Sequence, residues 1–123
     1  MTTISPERMH AYREGARRRH AQQKHQIDVR RRRAWVVARE TAKLLRTKYG
    51  ATQVFVFGSL AHGHWFGSRS DIDVAAVGIA PEAYWQAWRD LDQIDHSLKI
   101  DLIALESAPD SLRRQIAEEG VEL

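Results

Sequence analysis

The hydrophobic rhythm of the chain changes several times, and each change predicts an element. Residues 6–27 are polar on almost every side, with only Met9, Tyr12, Ala16 and Ile27 recurring at helical spacing. Ser5-Pro6-Glu7 offers a capping hydroxyl, a proline for the first helical position and an acid for the first turn, so a helix should begin there. A helix this polar buries little against its own domain. Residues 6–27 therefore read as a projecting arm, with Gly15 or the stretch His25 to Asp28 as the place where it would break. From Arg30 the pattern tightens: Trp35, Ala38, Ala42, Leu45 and Tyr49 form one apolar stripe of a helix that packs on a core and ends at Gly50, a natural left-handed cap.

Val54-Phe55-Val56-Phe57 is a short apolar run of β-branched and aromatic residues, the pattern of a strand covered on both faces. Residues 58–70 contain Gly58, Gly63 and Gly67 and form a turn-rich connection to a second strand, Ile72 to Val77, closed by Gly78. Beyond Pro81, the spacing of Tyr84, Trp85, Trp88, Leu91 and Ile94 predicts an amphipathic helix over the sheet, with Trp85 and Trp88 in the core. A third strand, Leu98 to Leu105, carries Asp101 in its middle, and a last helix runs from Ser107 to Glu119 with Gly120 just past its end. The class is α/β (α+β): a small mixed sheet with flanking helices in residues 34–123, preceded by a helical arm in residues 1–33.

Composition narrows the possibilities. A chain of 123 residues has room for one domain of ordinary size, and 43% apolar with 28% charged residues is the balance of a soluble globular protein. The absence of cysteine excludes a disulfide framework and a thiolate metal site. No apolar run reaches signal-peptide or membrane-span length, so a cytoplasmic protein is expected. The net charge of +3 conceals an asymmetry: residues 1–50 hold 14 Lys/Arg against 4 Asp/Glu, and residues 51–123 hold 5 against 12. A basic segment on an acidic body suits an acidic partner, a nucleic acid or the body of a second copy, or else is a solvated face that aids solubility.

The chemistry concentrates at two places. Gly58-Ser59 follows one hydrophobic strand, and Asp71-Ile72-Asp73 opens the next. Residues i and i+2 of a strand share a face, which would set the two carboxylates about 7 Å apart at their Cα atoms. Two acids so close need a cation, and carboxylate oxygens suit Mg²⁺, which keeps much of its coordination sphere for water and phosphates. Glycine at the turn lets the backbone approach a phosphate, turn amides favour an anion, and the Ser59 hydroxyl adds a donor. His62 and His64 bracket Gly63 without a third ligand; with Arg69 they are better placed as phosphate contacts than as a metal pair. Trp65 and Phe66 would either stack on a base or anchor the loop in the core.

Gly58-Ser59-Leu60-Ala61-His62-Gly63 and Ser70-Asp71-Ile72-Asp73-Val74 resemble the signature of the DNA polymerase β-like nucleotidyltransferase superfamily, in particular its minimal nucleotidyltransferase (MNT) branch. The usual pattern there is Gly-Ser, ten residues, then Asp-x-Asp; this chain has eleven, residues 60–70. The similarity covers roughly residues 34–106 and leaves residues 1–33 unmatched. It implies the nucleotidyltransferase fold, ATP as nucleotide donor with its phosphates over Gly58 and Ser59, and two Mg²⁺ ions held by Asp71, Asp73 and a third carboxylate. Asp101, an acid inside an otherwise apolar strand, fits that third position, the alternative being a salt bridge to Lys99 or to the arginine-rich helix. Asp92 and Asp95, near a helix end, are weaker choices.

Larger members of the superfamily carry an extra domain for the acceptor, and this chain has no room for one. MNT proteins of this size resemble the antitoxins of toxin–antitoxin pairs whose partner is a helical HEPN ribonuclease. The resemblance implies an enzyme that silences its partner by moving AMP from ATP to a tyrosine hydroxyl in a hetero-oligomer or homo-oligomer; the basic arm, residues 6–33, outside the resemblance, would be a reasonable docking element for that partner. An RNA or a small hydroxyl compound as acceptor, and an antitoxin that inhibits by contact alone, are the competing expectations.

Overall fold

The computed structural model describes residues 4–63 and 66–123; His64 and Trp65, weighed above as phosphate contact and base-stacking residue, lie outside the described residues. A single helix, α1 (Pro6–Tyr49), takes up the first part of the chain. The Ser5 hydroxyl accepts from the Arg8 amide at 3.2 Å, and Gly50 ends the helix in the left-handed conformation at φ 73°. The break expected at Gly15 or near His25 does not occur: Arg, Ala, Gln and Lys dominate the segment, and their helix propensity outweighs the roughly 1 kcal/mol that one glycine costs. With 44 residues, α1 is about 66 Å long.

Four strands follow: β1 (Gln53–Phe57), β2 (Ile72–Val77), β3 (Ile100–Ala104) and β4 (Val121–Glu122). Their order in the sheet is β3-β2-β1-β4. β1 pairs antiparallel with β2 and β4, while β2 and β3 run parallel, so the sheet is mixed. β4 carries no strand signal of its own, because a pair of residues after Gly120 is too short to show periodicity. Helix α2 (Ser59–His62) leaves β1, α3 (Tyr84–Leu91) connects β2 to β3, and α4 (Asp110–Glu119) precedes β4.

Strand alternation divides the sheet into two unlike faces. Val54, Val56, Val74, Ala76, Ile100 and Leu102 are buried on one face. On this face they meet Ala34, Val37, Ala38, Ala42 and Leu45 of α1, with Ala87 and Leu91 of α3 in the same cluster. Ala34 is the first fully buried residue of α1, so the arm before it contributes nothing to this core. The other face is only partly covered. Phe55 and Phe57 are half-buried rather than enclosed, which corrects the expectation of a strand covered on both faces. There α4 packs on β1, burying Ile116, and the turn Leu105–Ser107 packs on β2, where Ala75 is buried.

Trp85 also departs from expectation: it is 76% exposed, whereas Trp88 packs against the core. In a helix of eight residues, Ala87 and Leu91 define the inward line, and Trp85 lies on the opposite side of it. Lys48 donates to Asp90 at 2.6 Å and the Tyr49 hydroxyl donates to the same carboxylate, tying the end of α1 to α3. No helix among the described residues is long and apolar enough to cross a membrane. Leu45→Ala is expected to cost roughly 3 kcal/mol in urea denaturation, and Tyr12→Ala on the arm less than about 0.5 kcal/mol; equal losses would show that the arm belongs to the cooperative core.

Candidate active site

The open face of the sheet carries the acids. In register, Phe57 of β1 lies opposite Asp73 of β2, and Asp73 lies opposite Asp101 of β3. Neighbouring strands are roughly 4.8 Å apart, so the two carboxylates stand side by side. Asp71 sits just ahead of β2, where the Ile72 amide donates to the Lys99 carbonyl at 2.9 Å and aligns the entrances of the two parallel strands. The sequence places these acids at hydrophilic positions between buried ones: Ile72 and Val74 flank Asp73, and Ile100 and Leu102 flank Asp101, all turned to the core.

Asp73 is where the electrostatic cost falls. Burial, followed by the carboxylates of Asp101 and Asp71, pushes its carboxyl up to about 6. Asp101 has Lys99 within 3.7 Å, so the salt bridge weighed as its alternative role is also present, but both side chains are solvent-accessible and such a pair contributes little. Gly58 lies against this cluster with φ 71°, and a Cβ there would fall 2.3 Å from Oδ2 of Asp73. The glycine is required twice, once by the backbone conformation and once by the carboxylate beside it. Ser59 follows as the first residue of α2, whose turn closes with the Gly63 amide donating to the Ser59 carbonyl at 3.1 Å. The fold thus brings together all five residues singled out from the sequence, Gly58, Ser59, Asp71, Asp73 and Asp101.

Three crowded carboxylates with one proton held abnormally tightly form a site short of positive charge. Their hard oxygen donors fit Mg²⁺. Among the described residues, no three acidic, histidine or cysteine side chains are close enough together to hold a metal ion by themselves. Mg²⁺ needs only one or two carboxylates and takes the rest of its shell from water and phosphate oxygens. Asp95 is excluded from the cluster: the Ser97 hydroxyl and amide, then Arg33, hold it and lower its carboxyl to about 2. Farther along the open face, Phe55, Leu105, Arg113, Arg114 and Ile116 line a cleft of about 410 Å³ beneath α4, within the size range of small-molecule sites. Phe55 and Phe57 share a strand face, so this cleft lies about 7 Å along the sheet from the acid row.

Arg30 has a role that its membership of an arginine cluster does not reveal. Its guanidinium donates to the Ser97 carbonyl at 2.9 Å and the Ser70 carbonyl at 3.2 Å, bridging the approaches to β3 and β2. Arg31 packs against Gly63 at the end of α2, and Arg33 pairs with Asp95 at 3.1 Å. One turn of α1 therefore touches the loops on which the site stands. The signal available in the sequence is that Arg30 occupies the helical face continued by Ala34, Val37 and Thr41, where an arginine must find partners.

The sequence model described as "Polymerase beta, Nucleotidyltransferase" matches residues 39–123. The chain belongs to this nucleotidyltransferase family. The match extends beyond the region of resemblance at its C-terminal end, taking in α4 and β4, and begins after the arm. No curated protein matches the sequence significantly. Among solved structures, a toxin–antitoxin complex with AMP-PNP is 27% identical with a TM-score of 0.58, covering 69% of this chain and 70% of that one. A variant of the MntA–HpeT toxin–antitoxin pair is 25% identical with a TM-score of 0.57 over the same shares of the two chains. A complex of MNT antitoxin with tri-AMPylated HEPN toxin from Shewanella oneidensis is 25% identical with a TM-score of 0.54, covering 72% of this chain and 70% of that one. All three neighbours are toxin–antitoxin complexes, and the Shewanella oneidensis one pairs an MNT antitoxin with a HEPN toxin.

Two outcomes follow from the geometry of this nucleotidyltransferase site. The folded protein keeps the Asp73 proton up to about pH 6, whereas the unfolded chain releases it near pH 4, so the charged group penalises the fold above 6 and ceases to do so below 4. Asp73→Asn should therefore raise the melting temperature in metal-free buffer at about pH 7.5, with the gain vanishing near pH 4; an equal gain at both would rule out the desolvated carboxylate. Gly58→Ala should displace the Asp73 carboxylate and lower transfer activity at least about tenfold, the effect of a misplaced catalytic group. Wild-type kinetics in that variant would contradict the close approach.

Proposed function

We propose that the protein is a Mg²⁺-dependent adenylyltransferase, an antitoxin that moves AMP from ATP to a tyrosine hydroxyl of a HEPN ribonuclease toxin. The observation that carries this reading is the acid row Asp73–Asp101 with Asp71 beside it and Gly58 pressed against it, on an open face of a nucleotidyltransferase sheet. Structural neighbours include a complex with AMP-PNP and an AMPylated HEPN toxin, which supports both the donor and the acceptor.

In this proposal Asp71 and Asp73 would hold the metal, leaving Asp101 beside it as the base. Bound there, Mg²⁺ supplies charge neutralisation for the phosphates and for the developing pyrophosphate. The Gly58-Ser59 turn receives the phosphates, its glycine leaving room for them and the Ser59 hydroxyl donating a hydrogen bond. Asp101 accepts the proton of the tyrosine hydroxyl as its oxygen attacks the α-phosphorus. The bond from that phosphorus to the bridging oxygen breaks, and pyrophosphate leaves with the electron pair. Little covalent chemistry falls to the protein, so positioning and electrostatics account for most of the rate.

The half-covered sheet explains why a partner is needed. Asp73 and Asp101 stand half-buried on a face that α4 and the turn Leu105–Ser107 cover in part, so the acceptor protein completes the enclosure and excludes water. Incubating the full chain with its cognate HEPN partner and MgATP should add one or more AMP groups to a partner tyrosine, read by intact mass and fragmentation. The Asp71→Ala, Asp73→Ala double variant should add none. A partner that stays unmodified yet is neutralised by the double variant would overturn the catalytic reading in favour of inhibition by contact.

A further inference from the structure

The arm lies outside the family match, and its surface is of a different kind from the body. Residues 6–33 carry ten Lys/Arg against three Asp/Glu, with His10, His20 and His25 among them. Arg13, Arg17, Lys24 and Arg31 are spaced by four, seven and seven residues, which places them on one side of α1 over about 27 Å. Arg13, Arg17 and Lys24 are exposed. Only Arg17 of the three has an acidic partner among the described residues, Glu14 at 3.1 Å, in a highly exposed pair. The stripe ends at Arg31, which packs on Gly63 beside the Gly58-Ser59 turn.

We infer that this arm is a track for single-stranded nucleic acid, leading along the Arg13–Arg17–Lys24–Arg31 stripe to the edge of the nucleotidyltransferase site. Two observations favour a phosphate backbone over a protein as its occupant. Stable protein interfaces are built around a buried apolar centre depleted in lysine and acids, whereas nucleic-acid interfaces are polar and strongly positive. Beyond alanine and proline, the apolar side chains of residues 6–33 are Met9, Tyr12, Ile27 and Val29, too sparse to form such a centre. Second, Tyr12 is 70% exposed and the three histidines are interleaved with the arginines, offering planar groups on which unpaired bases stack. This reading does not depend on the transfer reaction, because the arm keeps its charge and shape whatever the acceptor is.

The test uses the full chain and a fluorescein-labelled single-stranded RNA of about twenty nucleotides, a length exceeding typical single-strand site sizes, with fluorescence anisotropy as readout. Wild-type protein should bind, and affinity should fall roughly fiftyfold between about 50 and 200 mM salt if four phosphates are neutralised. Arg13→Ala, Arg17→Ala, Lys24→Ala together should weaken binding at least about tenfold at low salt and flatten the log–log salt slope by about 2. Alanine keeps the helix, which circular dichroism would verify. A second variant removing three positive charges from the body, Arg39→Ala, Lys43→Ala, Arg89→Ala, should bind almost as wild type. Equal loss in both variants would reduce the effect to general charge and overturn the proposal. So would tighter binding to duplex DNA of the same length, or an arm variant that keeps RNA binding and loses only its protein partner.

Discussion

The burial of one apolar stripe of α1 against one face of the sheet is the constraint on which the other features depend. Ala34, Val37, Ala38, Ala42 and Leu45 fill that face so completely that the second face is free to remain half-open. At roughly 25 cal/mol per Å² of apolar surface removed from water, a seam of this kind is the main favourable term in so small a domain. It also offsets the cost of setting Asp73 beside Asp101 in adjacent strands, an arrangement that like charges oppose. The stabilising layer and the reactive layer are thus two sides of the same three strands, β1, β2 and β3, separated only by the alternation of their side chains.

That separation accounts for what was and was not legible in the sequence. The helical stripe from Trp35 to Tyr49 and the strands at Val54, Ile72 and Leu98 follow from local periodicity; the structure contains the strands with ends shifted by at most two residues, and the stripe as the last part of the continuous α1. The acids could be placed together because Asp71 and Asp73 begin an apolar strand, and because Asp101 interrupts another where no packing argument would put it. What could not be read is lateral: that β2 and β3 are parallel and aligned so that Asp73 meets Asp101 depends on Arg30, Ser70, Ser97 and Lys99, residues far apart in the chain. The half-exposure of Phe55 and Phe57 is hidden from the sequence for the same reason. A continuous apolar strand looks identical whether its second face is buried in the chain or left for something else to cover.

Trp85 and the uninterrupted arm illustrate a different limit. Both concern apolar or glycine positions whose helical spacing was correct but whose partners lie elsewhere or nowhere in the chain. A large exposed indole on α3 and a long polar helix each leave surface that this domain does not use. Periodicity predicts which residues share a face of a helix; it does not say what that face meets.

The two halves of the charge asymmetry converge at a single helical turn. The arginines from Arg30 to Arg33 are where the basic arm meets the acidic body, and there Arg30 and Arg33 turn part of the arm's positive charge inward onto the loops around the acids. Arg30 donates to carbonyls and not to carboxylates, so it fixes the loops without neutralising the site, whose one ion pair among the described residues is the exposed Lys99–Asp101 contact. A salt bridge at that position would have relieved the crowding and consumed the negative charge that a metal needs. The arrangement separates two tasks that arginine and aspartate could have shared: the arginine sets the geometry of the strand entrances, and the acids stay available for an incoming ion. The same turn joins the arm to the site, because Arg30 of α1 is hydrogen-bonded at the entrances of the two strands that carry Asp73 and Asp101.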